Sequence, residues 1–269
     1  MNNFFVIGNP IKHSSSPMLF QYIFKKLDID ASYSSKLVTN EHLEKTLMKF
    51  KSNNVSGINI TMPLKSKIIG FVDQIEKNAS ITKSINCLHF KDDIIKGYNN
   101  DYYGFNKLLK TNKLKLEASN NIILGSGGST RTVVLSLIKH KVKSIQILSR
   151  NKGAAIQIIN DFQPNLKGTS LKIFEEKLEF KNYNLINCTP ITLLENSDIS
   201  ILSKIPKINY KILIDINYKI KNDFLNFSAN KTVDGKSMFI YQALKSLDIW
   251  FESNISNKLD YKQLEKLLC

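Results

Sequence analysis

The stretch NNIILGSGGSTRTVVLSLI, residues 120–138, decides the fold. It begins as an apolar run typical of a buried strand, passes through a glycine-rich turn at residues 125–128 and ends with the apolar spacing of a helix. Such a turn lets the backbone approach a pyrophosphate, and the helix that follows offers unpaired N–H groups and a positive dipole end. A turn of purely structural use is the alternative, but a strand before it and a helix after it favour a dinucleotide site.

The next apolar run, at 144–148, ends in four polar residues that bear on the choice of dinucleotide. NAD-binding folds usually carry an acidic residue about 20 positions past the glycines, where it binds the ribose 2′-hydroxyl. No acid stands here. Arg150, one of only two arginines in the chain, is placed to pair with a 2′-phosphate, and Lys152 can assist it. This pattern predicts NADP, although a local cap or ion pair made by Arg150 is the alternative.

Apolar runs alternate with amphipathic helical patterns along almost the whole chain, which predicts an α/β fold with mainly parallel sheet. The polar residues 113–121 separate two series of elements. In the first series we expect strands at 4–8, 32–37, 57–61, 86–90 and 94–98, and helices at 17–27, 41–51, 63–70 and 101–113. In the second we expect strands at 121–124, 144–148, 171–174, 185–187 and 212–216, helices at 130–139 and 153–162, and two C-terminal helices at 236–252 and 261–268.

The composition is that of a globular protein with a strong basic bias. The chain has 269 residues, of which 42% are hydrophobic, and its 38 Lys and Arg against 23 Asp and Glu give a net charge of +15. Nucleic-acid binding is nevertheless not expected, because the basic residues are scattered and are almost all lysines, whereas readers of bases and phosphates rely on arginine. The charge predicts instead an attraction for small anions.

Neither a membrane segment nor a metal site is expected from the sequence. The N-terminal apolar run at 4–7 is too short for a signal peptide, and nowhere does an apolar run approach the ~18 residues of a membrane span. Cys87, Cys188 and Cys269 are odd in number, far apart and without metal-ligand spacing. We therefore expect a cytoplasmic protein with free thiols and no bound metal.

The stretch GINITMPLK, residues 57–65, raises a question about charge. It starts as a strand with Ile58 and Ile60 on one face, and Pro63 both ends the strand and suits the first turn of a helix. Lys65 then falls in that first turn. A cation there opposes the helix dipole by roughly 0.3–1 kcal/mol, so a function for this lysine is indicated.

Polar residues at other predicted helix and strand starts suit the binding of a small polar molecule. Ser14, Ser15 and Ser16 precede a helix, where hydroxyl groups and the dipole together make a carboxylate site, although an N-cap role for Ser16 is the default. Asp101 also stands at a helix start, where an N-cap is again the default. The amide of Asn86 can donate and accept, which suits a vicinal diol.

These residues belong to a series of motifs that together resemble the shikimate dehydrogenase family. The resemblance runs from Gly8 to about Trp250, and it rests on the order and spacing of the motifs more than on any one of them. They are GNPIKHSSSP, GINITMPLK, SINCL, GYNNDYYG, GSGGSTR, SR, NCTP, DINY and DGKSMFIYQA.

The resemblance implies two α/β domains with a cleft between them. A substrate-binding catalytic domain would comprise residues 1–101 plus 237–269, and a Rossmann-type NADP-binding domain residues 102–236. The implied activity is the reversible NADPH-dependent reduction of 3-dehydroshikimate to shikimate, a step of aromatic amino acid biosynthesis. Quinate or aminoshikimate dehydrogenation and a non-catalytic shikimate or NADP sensor remain as alternatives, and we expect a monomer or homodimer.

By the same resemblance, Lys65 is the general acid/base and Asp101 its catalytic neighbour. The substrate carboxylate and hydroxyl groups would be bound by Ser14, Ser16, Thr61, Asn86, Tyr218 and Gln242. The cofactor would be bound by Gly125, Ser126, Gly127, Gly128, Ser129, Thr130, Ser149, Arg150, Asn151, Lys152, Ile216, Gly235 and Met238.

The chain departs from the family pattern at several of these motifs. The usual Gly-Ala before Val-Asn-Thr is Lys83-Ser84 before Ile85-Asn86-Cys87, and the usual Asn-Thr-Asp is Asn99-Asn100-Asp101. A glycine expected after the NCTP segment is missing near Thr192, and the proline expected after Tyr218 is replaced by Ile220. Ser149 and Asn151 stand where the family has Asn and Thr around the cofactor arginine. No proposed catalytic group is removed.

Overall fold

The computed structural model describes residues 2–176, 182–192, 200–218 and 223–268, without the side chains of residues 192, 223 and 225. The departure at Ile220 and the side chain of Thr192 therefore lie outside the described residues. By its internal contacts the chain divides into a first unit, Met1–Gly104 with Ile240–Cys269, and a second unit, Phe105–Phe239.

The first unit contains a mixed six-stranded sheet with helices. Its strand order is β2-β1-β3-β5-β6-β4. The strands are β1 Asn2–Gly8, β2 Ala31–Leu37, β3 Gly57–Ile60, β4 Gln74–Ile75, β5 Cys87–Lys91 and β6 Ile94–Tyr98, and the helices are α1 Ser16–Lys26, α2 Leu43–Ser52, α3 Lys77–Thr82, α4 Asn100–Thr111, α7 Lys236–Trp250 and α8 Tyr261–Lys266. The unit boundaries fall within α4 and α7.

The strands pair mainly in parallel, as predicted, and the exception in this unit is β5. Strands β1, β2 and β3 run parallel, but β5 is antiparallel to both β3 and β6. Asp92 and Asp93, with φ of 49° and 61°, form the two-residue turn between β5 and β6. Two successive left-handed residues give the tight turn that reverses a strand, and aspartate tolerates that conformation better than most side chains.

The helix predicted at 63–70 is wrong, and this changes the setting of Lys65. Residues 62–66 form turns, and a short 3-10 helix follows at Lys67–Phe71. The carbonyl of Lys65 accepts a hydrogen bond from the N–H of Ile85 at 2.8 Å. This long-range bond takes an acceptor that an α-helix would use, so the helical ladder does not continue through Lys65, although the Ile68 N–H still donates to the Leu64 carbonyl at 3.0 Å.

The second unit contains an entirely parallel sheet with strand order β12-β11-β10-β7-β8-β9. All five strands predicted in this half are present within one or two residues. The elements are β7 Asn120–Leu124, α5 Gly128–Lys139, β8 Ser144–Leu148, α6 Lys152–Phe162, β9 Ser170–Ile173, β10 Tyr183–Asn187, β11 Ile212–Asp215 and β12 Thr232–Val233.

The strand order of this sheet has one functional consequence. The chain runs from β7 outward to β9 and then crosses back to β10 on the other side of β7, so the order reverses between these two strands. This is the dinucleotide-binding order, in which ligands bind beyond the carboxyl ends of the strands at the switch point. The loops that follow β7 and β10, at 125–127 and 188–192, lie at that edge.

Candidate active site

The central feature of the first unit is a short ion pair between Lys65 and Asp101. Lys65 Nζ lies 2.6 Å from Asp101 Oδ2, and the two side chains are 15% and 8% exposed. A charge-assisted hydrogen bond of this length, largely screened from water, fixes both groups in one orientation. The residue patterns singled out the two separately, the family resemblance made them neighbours, and the structure brings them together.

Asp101 is positioned by the start of helix α4. The helix begins at Asn100, and Asn99 caps it because its side-chain oxygen accepts from the Tyr102 N–H at 3.3 Å. The default N-cap interpretation of Asp101 is therefore wrong, since Asp101 is the second helical residue. The Asp101 carboxylate does not cap the helix and instead accepts a hydrogen bond from Lys65. Its negative charge is also favoured by the dipole at the N-terminus of α4.

Lys65 does not lie at the positive end of an α-helix, as its sequence context suggested. The five-residue 3-10 helix Lys67–Phe71 begins two positions later. The unfavourable dipole inferred from the sequence therefore has no basis in the structure, and the neighbouring charge that matters for Lys65 is Asp101.

Two amide side chains complete this cluster. Asn86 Nδ2 donates to Asp101 Oδ1 at 2.8 Å and to Gln242 Oε1 at 3.2 Å, while Asn86 Oδ1 accepts from the Asn100 N–H at 2.7 Å. Both protons of the Asn86 amide are thus engaged, which fixes which way the amide faces. Lys65, Asp101, Asn86 and Gln242 form one connected group.

The serines of the first unit lie at the start of α1, and only the default N-cap interpretation of Ser16 is contradicted there. The helix begins at Ser16, and the residue at the N-cap position is Ser15, whose side chain makes no capping bond. Ser14 Oγ accepts from the Ser16 N–H at 3.3 Å instead. The N-cap interpretation of Ser16 is therefore wrong; Ser16 is the buried first residue of the helix.

Thr61 lies at the end of β3, against the loop that leads to these serines. The Thr61 N–H donates to the Ile7 carbonyl at 2.9 Å, and the Asn9 N–H donates to the Met62 carbonyl at 2.9 Å. A Cβ at Gly8 would lie only 2.4 Å from Thr61 Cγ2 and 2.8 Å from Met62 O. The glycine thus allows the loops after β1 and β3 to touch.

In the second unit the glycine turn has the geometry of a phosphate-binding loop. Gly125 has φ of +106°, a conformation that favours glycine, and its N–H donates to the Leu148 carbonyl at 2.9 Å. Gly127 occupies the N-cap of α5, so the helix begins at Gly128, two residues before the predicted start. Ser129 and Thr130 follow in the first turn of this helix.

The loop after β8 carries the residues predicted to bind the 2′-phosphate. Ser149 Oγ lies 2.8 Å from Ser126 Oγ and accepts from the Asn151 N–H at 3.2 Å, and Asn151 Oδ1 caps helix α6 through the Ala154 N–H at 2.9 Å. Arg150, Asn151 and Lys152 are exposed. The hydrogen bond between the Ser126 and Ser149 hydroxyl groups thus connects this loop to the glycine turn.

The other arginine of the chain serves a different purpose. Arg131 Nη1 lies 2.7 Å from Asp161 Oδ2, and the two side chains are largely buried. Asp161 lies near the end of α6 and Arg131 near the start of α5, so this ion pair joins the two helices. The sequence gave no signal for this pairing.

The remaining cofactor-site predictions fall at the ends of β11 and β12. Gly235 is packed directly on Ile216, since a Cβ there would lie 2.0 Å from the Ile216 carbonyl oxygen. Met238 is buried in the first turn of α7. Tyr218 belongs to this second unit, where its ring lies 4.1 Å from that of Phe239.

The sequence reasoning missed four buried polar residues of the first unit. Tyr33, Asn59, Asn100 and Ser246 are hydrogen-bonded to one another and to Asn86. Asn59 was visible as a polar residue within the buried strand GINI, and Ser246 as a serine within an apolar helix. Neither pattern alone says what the side chain contacts.

Cys87 lies beside these residues and is not a candidate nucleophile. Burial raises the pKa of the Cys87 thiol to about 12, although the side chains of Ser246, Trp250 and Asn100 act in the opposite direction. A thiol with so high a pKa stays protonated at neutral pH and is a poor nucleophile.

Within the described residues, His, Cys, Asp and Glu side chains nowhere cluster in threes as a metal site would require. No helix in the described ranges is both long enough and apolar enough to span a bilayer.

Fold and site together define the class: a two-domain α/β protein with a Rossmann-type dinucleotide-binding domain. Residues 6–88 match the family model of the shikimate dehydrogenase substrate binding domain. The shikimate dehydrogenase (NADP(+)) of Clostridium perfringens strain 13 is 32% identical over 274 residues, covering 100% of this chain and 99% of that protein. The enzyme of the same name from Pelagibacter ubique is 34% identical over 252 residues, covering 92% of each.

A solved structure shows the same likeness. The shikimate dehydrogenase of Aquifex aeolicus superposes with a TM-score of 0.82 at 28% identity, covering 100% of this chain and 97% of that one. The chain belongs to the shikimate dehydrogenase family.

Proposed function

We propose that this protein is an NADP-dependent shikimate dehydrogenase, which reversibly reduces 3-dehydroshikimate to shikimate. The observation that carries the proposal is the 2.6 Å pair of Lys65 and Asp101, joined by Asn86 and Gln242 in a single hydrogen-bonded group. An ammonium group held by a carboxylate, which an amide in turn orients, is suited to moving a proton to or from a secondary alcohol. Family membership supports the same reaction.

Lys65 is the group that moves the proton in this proposal. In the reducing direction its ammonium donates a proton to the substrate carbonyl oxygen as negative charge develops there. In the oxidising direction the neutral amine accepts the hydroxyl proton. Asp101 keeps the amine directed to one place, because its carboxylate accepts a hydrogen bond from Nζ at 2.6 Å.

The substrate carboxylate is assigned to Ser14 and Ser16 at the start of α1, with Tyr218 as a further contact. The support is that hydroxyl donors and a helix N-terminus both favour an anion. The ring hydroxyl groups are assigned to Thr61, Asn86 and Gln242. Thr61 directly follows the strand that leads to Lys65, and the two amides are hydrogen-bonded to each other.

The second unit has features that fit NADP. The positive φ of Gly125 and the glycine N-cap at Gly127 form a turn without side chains at the N-terminus of α5, where the helix dipole favours a pyrophosphate. The exposed cations Arg150 and Lys152 suit a 2′-phosphate. The bound cofactor supplies or takes up the hydride. The full set assigned to it is Gly125, Ser126, Gly127, Gly128, Ser129, Thr130, Ser149, Arg150, Asn151, Lys152, Ile216, Gly235 and Met238.

The domain roles follow from these assignments. Residues 1–101 with 237–269 form the substrate-binding catalytic domain, and residues 102–236 form the NADP-binding domain. We infer that the protein acts in the cytoplasm, since Cys87 and Cys188 are free thiols, and that it is a monomer or homodimer without nucleic-acid partners. Light scattering coupled to gel filtration measures the oligomeric state.

The reaction is tested by initial-rate reduction of NADP with shikimate, with NAD and with quinate run in parallel. Rapid turnover by the shikimate and NADP pair alone is expected. Preference for NAD would contradict the assignment of Arg150, and preference for quinate would contradict the substrate. If folded protein shows no turnover with any pair, the enzyme proposal fails, and binding of shikimate or NADP without turnover would indicate a sensor.

A further inference from the structure

The first unit contains a buried chain of polar side chains next to the catalytic pair. We call Tyr33, Asn59, Asn100 and Ser246 the buried polar network. The Tyr33 hydroxyl donates to Asn59 Oδ1 at 2.8 Å, and Asn59 Nδ2 donates to Ser246 Oγ at 2.9 Å. Asn100 Nδ2 donates to the same Ser246 Oγ at 3.0 Å. The network therefore links strand β2, strand β3, helix α4 and helix α7.

Ser246 is the junction of this network, and its hydrogen bonds are complete. Its hydroxyl accepts from Asn59 and Asn100 and donates to the Gln242 carbonyl at 3.0 Å. One donor and two acceptor positions are all that a hydroxyl possesses, so no capacity is left over. The residue is 0% exposed, and water cannot replace any of these bonds without entering the core.

The network ends on the residues that hold the catalytic pair. Asn59 Nδ2 donates to the Asn86 carbonyl at 3.2 Å, and the side chain of Asn86 donates to Asp101. Asn100, at the other end, directly precedes Asp101 and donates its N–H to Asn86 Oδ1 at 2.7 Å. The start of α4 is thus clamped from two directions, once by its backbone and once by the Asn100 side chain.

We propose that the buried polar network is a positioning device for the reaction, with Ser246 as its central residue. The inference rests on the proposed function. None of the four side chains contacts Lys65 in the described bonds. They fix the position of the Asp101 carboxylate. Since that carboxylate holds the Lys65 ammonium, they also fix the place at which Lys65 transfers its proton. Proton transfer depends on geometry at the level of about 1 Å, so loosening this support reduces the rate without removing a reacting group.

Asn100 is the residue that ties α4 to this junction, and it stands where the family pattern has threonine. The Asn side chain reaches Ser246 with an amide donor. Asn100→Thr removes that donor and leaves one acceptor position of Ser246 unfilled. We therefore expect Asn100→Thr to behave as Ser246→Ala does, although the threonine suits the family pattern.

The test compares Ser246→Ala with wild type in two measurements. In the shikimate and NADP assay, kcat is expected to fall about tenfold or more while KM for NADP is unchanged, because the displaced groups act on the proton transfer. In amide hydrogen exchange, the Asn100 N–H is expected to exchange at least tenfold faster. The exchange measurement does not need turnover. It therefore tests whether Ser246 holds the start of α4 even if the wild-type protein proves inactive.

The matched control is Ser136→Ala. Ser136 is also a 0% exposed serine on a helix, and its hydroxyl donates to Asn106 Oδ1 at 3.1 Å in the second unit. It should lower Tm as Ser246→Ala does, yet leave kcat and the exchange of the Asn100 N–H unchanged. The proposal is overturned if Ser246→Ala keeps kcat within about twofold of wild type, or if Ser136→Ala reduces kcat as much.

Discussion

The ammonium group of Lys65 has to meet two demands, since it must be held in one place and must also exchange a proton. Asp101 meets the first, because a charge-assisted bond of 2.6 Å between largely buried groups restricts the long lysine side chain. The second requires that the lysine keep access to the substrate, and its 15% exposure leaves it that access. The Lys65 ammonium is therefore held in one position and can still exchange a proton with the substrate.

Replacing Lys65 by methionine tests this assignment. Methionine keeps most of the length and apolar volume of lysine but cannot carry the proton, so kcat should fall by about 10²–10⁴-fold while the protein stays folded. Steady-state rates and a far-UV circular dichroism spectrum measure the two effects. Lys67→Met is the matched control, since Lys67 is an exposed lysine two positions along. Turnover of Lys65→Met within about threefold of Lys67→Met would remove Lys65 from the mechanism.

At single residues, the sequence identified the type of group better than its partners. Lys65 was conspicuous because a cation appeared to oppose a helix dipole, yet the structure has no α-helix there. Asp101 was visible at a helix start, but the cap is Asn99. The partner of Lys65 is 36 residues away in the chain, and local patterns carry no information about such a distance.

At the level of elements, the approach of β12 to the loop after β11 leaves no space for a side chain. A Cβ at Gly235 would lie 2.0 Å from the Ile216 carbonyl oxygen and 2.8 Å from the Asn217 carbonyl carbon. Both contacts are with backbone, which cannot rotate away as a side chain can. The Gly235 N–H also donates to the Asn217 carbonyl at 2.9 Å, which holds the two segments together at the start of α7.

Gly235→Ala should therefore separate these two segments. We expect a loss of stability of about 1–3 kcal/mol, the usual cost of forcing extra volume into a packed site, together with weaker NADP binding. Thermal unfolding and cofactor titration measure the two effects. Gly70→Ala is the control, because a Cβ at Gly70 would meet nothing within 4 Å. A Gly235→Ala protein as stable as Gly70→Ala would contradict the close packing.

Elements were predictable where one local signal decided them. Five of the six parallel strands of the second unit are short apolar runs that were found within one or two residues, whereas the two-residue strand β12 at Thr232–Val233 was not predicted. The hairpin of β5 and β6 was found as two strands, but its direction depends on the two left-handed residues Asp92 and Asp93, which were not recognised as a turn. The segment 63–70 had the composition of a helix, but the carbonyl of Lys65 bonds to the Ile85 N–H instead of continuing a helical ladder.

Only those site residues that belong to recognisable sequence motifs were predicted. Lys65, Asp101, Asn86 and Gln242 were named from their motifs, and the structure joins them. Asn59 and Ser246 lie 187 residues apart in sequence. In the sequence, Asn59 looks like an ordinary strand residue and Ser246 like an ordinary helix residue. Only the packing of β3 against α7 shows that they support the same helix start.

For the whole molecule, the net charge of +15 is the property most relevant to its proposed substrates. Shikimate carries a carboxylate and NADP carries phosphates, so both are anions. The lysines are scattered over the chain and do not form a cluster, which argues for a general attraction and against a dedicated nucleic-acid surface. Such long-range attraction acts through water and is therefore sensitive to salt.

The rate of reaction at low substrate should accordingly fall as salt is added. Raising potassium chloride from about 10 mM to about 100 mM shortens the Debye length from about 30 Å to about 10 Å, which removes most of the attraction between separated charges. We expect kcat/KM for shikimate to decrease several-fold across this range. The value of kcat should change little, because the Lys65 and Asp101 pair is largely buried and is screened much less. Sucrose at matched viscosity is the control. An unchanged kcat/KM would mean that the positive charge does not guide substrates, and that binding depends on the local contacts of the site alone.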